Sequence, residues 1–145
     1  MKRILVLVFM LLFLGYFASE EYAAAADRFV NNKDGTVTDT QTGLMWADHD
    51  NGSNTNWDNA ESICRGYSGG GKSGWRMPAI DELWQLYNSS AYGSVITKSG
   101  RWVWSSETSS YGPAATAFDF DAGGRYGYPK SEHEGMRALP VRSDK

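Results

Sequence analysis

A small α+β domain is predicted by three patterns in this 145-residue sequence. Residues 57–87 hold two segments in which apolar side chains recur at helical spacing, and the glycine run 69–71 separates them. Residues 101–106 and 115–121 alternate instead with the period of two that is typical of β-strands. Six Trp, eight Tyr and 16 Gly suit a compact, loop-rich β-structure whose large side chains fill a small core.

The first residues predict an export signal. Lys2 and Arg3 form a positive start, residues 4–14 are all apolar, and residues 23–26 are alanines of the kind found at signal cleavage sites. The apolar run is shorter than the about 20 residues that a spanning helix needs. We therefore predict a signal peptide over 1–26 and one exported domain over 27–145, periplasmic or extracellular, with the export signal as its only membrane contact.

The charge balance argues against two classes of main partner. The chain has 14 Lys and Arg against 17 Asp and Glu, a net charge of −3, whereas nucleic acids and anionic membranes attract a basic surface. Cys64 is the single cysteine, so no disulfide can form within the chain. Its place on the apolar face of the first helix predicts a small buried hydrophobic residue, and a disulfide between chains stays an alternative.

Two loops match binding motifs only in part. Residues 48–56 are rich in Asp and Asn, but a calcium-binding EF-hand loop that starts at Asp48 would need glycine at Ser53 and glutamate at Asn59. We predict a solvated polar loop and no metal site there. The glycine run 69–71 lacks the lysine spacing and the preceding strand of a phosphate-binding loop, so it predicts a flexible corner.

The two helices are predicted from their caps and their apolar faces. Thr55 or Asn56 can cap the first helix, and Pro78 suits the start of the second. Asp81 and Glu82 are neighbours, but adjacent helical residues point about 100° apart, so they predict no acid–base pair. The apolar face of the first helix consists of Trp57, Ala60, Cys64 and Tyr67. The apolar face of the second consists of Ile80, Leu83, Trp84 and Tyr87.

Short strands are predicted on both sides of the helices. Residues 27–47 indicate a short strand followed by a hairpin. Pro140 places the last predicted strand at a sheet edge or a bulge, and we predict no internal repeat. The strands after the helices are expected at 101–106, 115–121, 125–128 and 136–142. Because side chains alternate between the two faces of a strand, we expect Trp102 and Trp104 on one face of their strand. For the same reason we expect Phe118 and Phe120 on one face of theirs, pointing into the core.

Six strings, in this order, resemble one family. They are RFVNNKDGTVTDTQTGLMW (28–46), WDNAESIC (57–64), SGWRMPAIDEL (73–83), WSS (104–106), FDF (118–120) and RALPVR (137–142). Together they resemble the C-terminal domain of the Legionella collagen-like adhesin (Lcl), over essentially the whole predicted domain. The resemblance implies a C-type-lectin-like fold, related to the formylglycine-generating sulfatase-modifying domains, with two short helices packed on curved antiparallel β-structure.

The resemblance also implies extracellular recognition. The best-known member of the family binds sulfated glycosaminoglycans and forms trimers, which indicates a class of function for this chain. Many relatives pair a helix cysteine with one in the final strand, where this chain has Ala138 and Leu139, so Cys64 stands alone. We expect the family's motif residues to be mainly architectural, with Arg76 bridging carbonyls or a carboxylate. They are Trp46, Trp57, Trp75, Arg76, Pro78, Leu83, Trp104 and Arg142.

The sequence predicts a non-catalytic binding module, with a glycan as the first candidate ligand. Aromatic rings stack on sugar faces, and neighbouring Arg or Lys side chains can pair with acidic groups. The alternative for each of the tyrosines concerned is packing in a small hydrophobic layer. The candidate ligand-binding residues are Arg101, Trp102, Tyr111, Arg125, Tyr126, Tyr128 and Lys130.

A second predicted function is an interaction or assembly subunit, which binds another extracellular protein or itself as a homo-oligomer. An enzyme is not expected, because His49 and His133 lie in polar loops and no nucleophile, metal or phosphate motif accompanies them. We therefore predict no catalytic residue and no cofactor.

Overall fold

The computed structural model describes residues 28–144, so the predicted signal peptide lies outside the described residues. Their two helices and eight strands confirm the predicted α+β class, while the C-type-lectin-like part of that prediction stays a prediction. Within residues 28–144, no helix is both long enough and apolar enough to span a membrane. In chain order the elements are β1 (Phe29–Asn31), β2 (Thr36–Asp39), β3 (Leu44–Ala47), α1 (Trp57–Gly66), α2 (Ile80–Asn88), β4 (Trp102–Thr108), β5 (Ala114–Asp119), β6 (Gly124–Pro129), β7 (Met136–Arg137) and β8 (Val141–Ser143).

The strands form two four-stranded sheets. The first has the order β1-β2-β3-β8 and is antiparallel throughout. The second has the order β6-β5-β4-β7, and its β4–β7 pair is parallel, so the β-structure is mixed rather than wholly antiparallel as predicted. The ends of the described domain lie on opposite edges of the first sheet, in β1 and β8.

The predicted last strand over 136–142 is wrong as a single element. Its two halves are β7 and β8, which belong to different sheets. Pro140 lies between them, and its ring nitrogen cannot donate to a ladder. Its carbonyl still accepts a hydrogen bond from the Ala47 N–H at 2.9 Å. The chain therefore leaves the second sheet after Arg137 and joins the first at Val141.

The predicted single core consists of two clusters, one on each face of the second sheet. The alternation of side chains along each strand explains this division. The paired residues Val103 and Phe118 point to the first cluster. The next pair, Trp104 and Ala117, points to the second. The first cluster lies between the two sheets and α2, and the second lies beneath α1. Cys64 is fully buried in the second cluster, as predicted.

The helices begin as their caps predict. The Asn56 side chain accepts a hydrogen bond from the backbone N–H of Asn59 at 2.9 Å at the start of α1. Before α2, the Ala79 N–H donates to the Glu82 carboxylate at 2.7 Å, which satisfies a backbone donor at the helix end. The glycine corner between the helices is a short 3₁₀ turn over Gly69–Gly71.

The predicted core face of α2 is wrong at one residue. Trp84 is 42 % exposed, whereas Leu86 is buried and takes the place expected for it. Trp84 follows the buried Leu83 by about 100° around the helix, so its ring lies at the edge of the buried face of α2. There it stacks on Tyr87 at 6.1 Å and contacts the edge of the Phe118 ring at 6.1 Å.

The two sheets contain a structural repeat, which contradicts the prediction of no internal repeat. In β1–β3, Arg28 donates from Nε to Asp39 at 2.7 Å, and in β4–β6, Arg101 donates from Nε to Asp119 at 2.7 Å. Asp39 also accepts from the N–H groups two and three residues later, at 3.0 and 3.4 Å. Asp119 does the same at 2.9 and 3.1 Å. Each aspartate therefore holds its own turn and also the arginine at the start of the neighbouring strand.

The two turns of the repeat also share a backbone conformation. Four residues after each aspartate comes a glycine with positive φ, 70° at Gly43 and 72° at Gly123. The N–H of each glycine donates to the aspartate carbonyl, at 2.9 and 2.8 Å. The sequence obscures the repeat because the links from β1 to β2 and from β4 to β5 differ in length and composition.

The repeated Arg–Asp pairs predict how stability depends on pH. The Arg101 guanidinium holds the pKa of Asp119 at about 2. Burial of Asp39 acts to raise its pKa, but hydrogen bonds from Arg28 and Thr42 outweigh it and lower the pKa. Both carboxyls titrate near pH 4 when unfolded, so their contribution is complete above about pH 4 and is lost towards about pH 2. We expect the free energy of unfolding in urea to fall over that range.

Asp119→Asn isolates one of these pairs, because it removes the carboxylate and keeps the side chain's size. The variant should be less stable than the parent at pH 6, and the difference should shrink as the pH approaches 2. A difference that stays constant from pH 6 to pH 2 would contradict the proposed linkage.

Candidate binding surface

Three aromatic side chains form an exposed cluster on the second sheet, here called the aromatic platform: Trp102, Tyr126 and Tyr128. The ring centroid of Trp102 lies 5.4 Å from that of Tyr126 and 5.3 Å from that of Tyr128, with interplanar angles of 81° and 76°. Edge-to-face contacts of this kind hold aromatic rings in a fixed orientation. Tyr126 is 48 % exposed, and the other two rings are half-buried. The platform is therefore ordered and open to solvent.

The strand register produces the platform. One row of residues across β4, β5 and β6 consists of Trp104, Ala117 and Tyr126. Trp102 precedes Trp104 by two residues in β4, so it lies on the same face of the sheet. The helix α1 covers Trp104 and does not extend over Tyr126. Gly124 completes the arrangement, because a Cβ atom there would lie 2.8 Å from a carbon of the Tyr126 ring. The absence of a side chain lets that ring lie over its own strand.

Arg101 places a positive charge at one side of the platform. Its guanidinium carbon lies 5.2 Å from the centroid of the Trp102 ring, a cation–π distance. Asp119 anchors the guanidinium, yet the Arg101 side chain stays 48 % exposed. The hydrogen bond from Arg101 is the main cause of the low pKa of Asp119. The anchored arginine thus keeps a fixed donor geometry beside an aromatic ring.

Lys130 extends the surface towards α1. Its ammonium lies 4.0 Å from the centroid of the Trp57 ring. Trp57 is 9 % exposed, and its Nε1–H donates to the carbonyl of Ser105 at 2.9 Å. A shallow groove of about 210 Å³ begins there, and it also contains the paired charges of Glu61 with Arg65. The groove is lined by Trp57, Glu61, Arg65, Arg76, Met77 and Ser106.

Two of the seven predicted ligand-binding residues lie away from the platform. Tyr111 is 93 % exposed at the tip of the loop between β4 and β5. Arg125 points to the other face of β6, where it approaches Asp81 of α2 at 3.4 Å. The structure brings five of the predicted residues to one surface: Arg101, Trp102, Tyr126, Tyr128 and Lys130.

The family motif residues occupy the interior and the junctions between elements. Arg76 donates to both oxygens of Glu82, at 2.7 and 2.9 Å, and to the carbonyl of Met77 at 3.2 Å. Arg142 donates from Nε to the carbonyl of Ser73 at 2.9 Å. The carbonyl of Pro78 accepts from the N–H of Ser106 at 2.8 Å. The buried motif residues are Trp46, Trp57, Trp75, Pro78, Leu83 and Trp104.

The predicted solvated loop over 48–56 contains a buried carboxylate that sequence reasoning missed. Asp50 is 3 % exposed and accepts from the Tyr92 hydroxyl at 2.5 Å, the Ser99 N–H at 2.7 Å and the Gly52 N–H at 2.8 Å. The Ser99 hydroxyl is a fourth donor. Burial acts to raise the pKa of Asp50, but these donors outweigh it and lower the pKa. Four donors occupy the lone pairs of a carboxylate, so Asp50 is a structural anchor.

The cysteine and the histidines offer little for catalysis. Burial raises the pKa of the Cys64 thiol to about 12, so at neutral pH it is protonated and a poor nucleophile. His49 pairs with its neighbour Asp48, and His133 lies 3.3 Å from its neighbour Glu134. Among residues 28–144, no three His, Cys, Asp or Glu side chains are grouped as a metal site would require.

These features define an α+β domain that presents an ordered aromatic and basic surface. The chain belongs to the Lcl C-terminal domain family, an adhesin-associated family whose profile matches residues 35–142. One chain of a solved structure titled "The von Willebrand Factor mutant (I546V) A1 domain-botrocetin Complex" is similar, with a TM-score of 0.49 and 10 % identity. The match covers 80 % of this chain and 96 % of that one. A comparison with curated protein sequences gives no match.

Proposed function

We propose that this chain is an exported, non-catalytic recognition module whose aromatic platform binds a glycan. The observation that carries the proposal is the placement of Trp102 between two tyrosines, with the anchored Arg101 beside its ring. Sugar rings have apolar faces that stack on aromatic side chains, and their hydroxyl or acidic groups accept hydrogen bonds from guanidinium. Export rests on the leader-like residues 1–26 and on the family's association with adhesins.

The structural repeat supports the assignment of Trp102. The equivalent residue in the first sheet is Phe29, since each follows the arginine of its Arg–Asp pair. Phe29 is 2 % exposed and belongs to the first core cluster, whereas Trp102 is half-buried at the surface. The same position thus supplies a core residue in one sheet and a solvent-facing aromatic ring in the other.

The test is a glycan array on the 27–145 chain, followed by titration of each sugar class that binds. Trp102→Ala and Tyr126→Ala should each weaken binding by about tenfold or more, as loss of a central aromatic contact does. Running the array with calcium and with a chelator also tests whether a metal contributes.

The matched controls are Trp84→Ala and Tyr111→Ala, which remove equally large rings away from the platform. They should leave the affinity within about twofold of the parent value. Circular dichroism and melting temperature should show that every variant is folded. Equal losses in the platform and control variants would contradict the assignment of the site. No binding by the folded parent to any glycan would instead favour the alternative, a protein partner.

A further inference from the structure

The strand β6 is an open edge of the second sheet. It pairs with β5 along its whole length, from Gly124 to Pro129, and has no neighbour on its other side among the described residues. Arg125 does not cover this edge, because its guanidinium reaches towards Asp81 on α2. Gly127 has no side chain that could fold over the edge, and the sheet face beside it is open, since a Cβ atom there would meet no heavy atom within 4 Å. Open edges of this kind accept a further strand.

The hydrogen-bond pattern shows which peptide groups face outward. The Phe120 N–H donates to the Arg101 carbonyl at 2.9 Å, a bond that flanks the Trp102–Asp119 pair. The N–H and C=O of Asp119 therefore point away from β4 and towards β6. By alternation, β6 bonds to β5 through Gly124, Tyr126 and Tyr128. The N–H and C=O of Arg125 and Gly127 then face the open side, and no described residue bonds to them.

These outward groups match a second copy of themselves. A two-fold axis at Tyr126 places Arg125 opposite Gly127 of the second copy, and the reverse. Each such pair exchanges two N–H···O=C bonds, so all four outward groups on each chain are satisfied. Pro129 ends the ladder at the right place, because it has no N–H and its carbonyl already accepts from the Glu132 N–H at 2.9 Å.

The side chains fit the same register. Tyr126 meets Tyr126 of the second copy at a pair without hydrogen bonds, where opposing side chains are closest and aromatic pairs are favourable. The long Arg125 side chain lies opposite a glycine, so neither a clash nor a like-charge contact arises. The two aromatic platforms then adjoin, and Tyr126 of each chain links Trp102 of one to Trp102 of the other.

We propose that the chain forms a symmetric dimer by antiparallel pairing of β6 with β6 of a second copy, centred on Tyr126. The inference rests on the β6 edge and not on glycan binding, so either can fail without the other. The dimer would place two platforms side by side on one continuous sheet. A glycan with repeated units could then engage both copies at once.

Two substitutions of one residue test the register. Gly127→Lys puts a lysine opposite Arg125 of the second copy, and Gly127→Glu puts a carboxylate there. Like charges opposed across strands destabilise a pair and opposite charges stabilise it. We expect sedimentation equilibrium of the 27–145 chain, which keeps every described contact, to give at least about tenfold tighter association for the Glu variant.

General charge effects predict the reverse order. The chain has a net charge of −3, so an added lysine should reduce repulsion between copies and an added glutamate should increase it. Gly66→Lys and Gly66→Glu are the matched controls, because a Cβ atom at Gly66 would also meet no heavy atom within 4 Å and its φ is not positive. The control pair should follow the general charge effect only.

Amide hydrogen exchange of the unaltered chain gives a readout that needs no variant. Raising the protein concentration should increase protection at the Arg125 and Gly127 amides, while the Tyr126 and Tyr128 amides are protected throughout by β5. The proposal is overturned by a monomer up to about 1 mM, or by association in which the two Gly127 variants are equal or reversed. A dimer without added protection at Arg125 and Gly127 would also overturn it.

Discussion

Asp50→Ala is expected to lower the free energy of unfolding by about 3 kcal/mol. The substitution removes the acceptor for four hydrogen bonds and leaves the buried Tyr92 hydroxyl with the more distant Gly100 carbonyl, at 3.5 Å, as its acceptor. Each unsatisfied buried donor costs about 1–3 kcal/mol. Burial, together with the hydrogen bond to Asp50 and the Asp50 charge, raises the pKa of Tyr92, so its hydroxyl is a donor at neutral pH. Urea unfolding followed by circular dichroism measures the loss.

Asp121→Ala is the matched control for Asp50. Asp121 also pairs with a donor, the Lys98 ammonium at 2.5 Å, but its side chain is 53 % exposed. Exposed ion pairs contribute about 0–1 kcal/mol, so the control should change stability much less. Asp50→Asn should lie between the two, because the amide keeps one acceptor oxygen and loses the other. Similar values for Asp50→Ala and Asp121→Ala would show that the four-donor site does not anchor the loop.

Helices were predictable because their signals lie within one segment. The buried Ala60 and Cys64 follow from spacing alone, and the cap was narrowed to Thr55 or Asn56, of which Asn56 caps α1. The misplacement of Trp84 has a tertiary cause: both it and Leu86 fit an apolar face, and the way α2 packs on β4 and β5 decides which one is covered. Sequence spacing specifies the width of a helix face but not the exact line along which a sheet packs on it.

Long-range contacts account for the other errors. The sequence predicts Asp50 in a solvated loop because two donors to its carboxylate, Tyr92 and Ser99, lie more than 40 positions away in the chain. The split of the last strand depends on which sheet each half meets, and Pro140 alone indicates only an interruption. The repeat was missed because it consists of an Arg–Asp pair and one glycine, too little to detect between links of different length.

The candidate surface was half predictable for a similar reason. Period two correctly put Trp102 and Trp104 on one face of β4, and it cannot tell which of them is covered. That depends on where α1 ends above the sheet. Arg125 is a different case, because period two itself separates it from Tyr126: neighbours in a strand point to opposite faces.

Trp104→Ala should therefore destabilise the domain far more than Trp102→Ala, although the two residues share a strand face. Trp104 is fully buried in the second core cluster, and its Nε1–H donates to the carbonyl of Thr55 at 2.9 Å. Truncation of a buried Trp costs about 3–5 kcal/mol. Trp102 is half-buried, so its truncation should cost about 1–2 kcal/mol in area removed from water.

Trp104→Phe separates packing from hydrogen bonding at this position. It keeps an aromatic ring in the cluster but leaves the buried carbonyl of Thr55 without its donor, so an intermediate loss of about 1–3 kcal/mol is expected. Urea unfolding must be followed by circular dichroism, because each variant removes a fluorescent residue. Equal losses for the two alanine variants would mean that Trp102 is as much a core residue as Trp104. The aromatic platform would then lose its central ring, Trp102, as a ligand-binding residue.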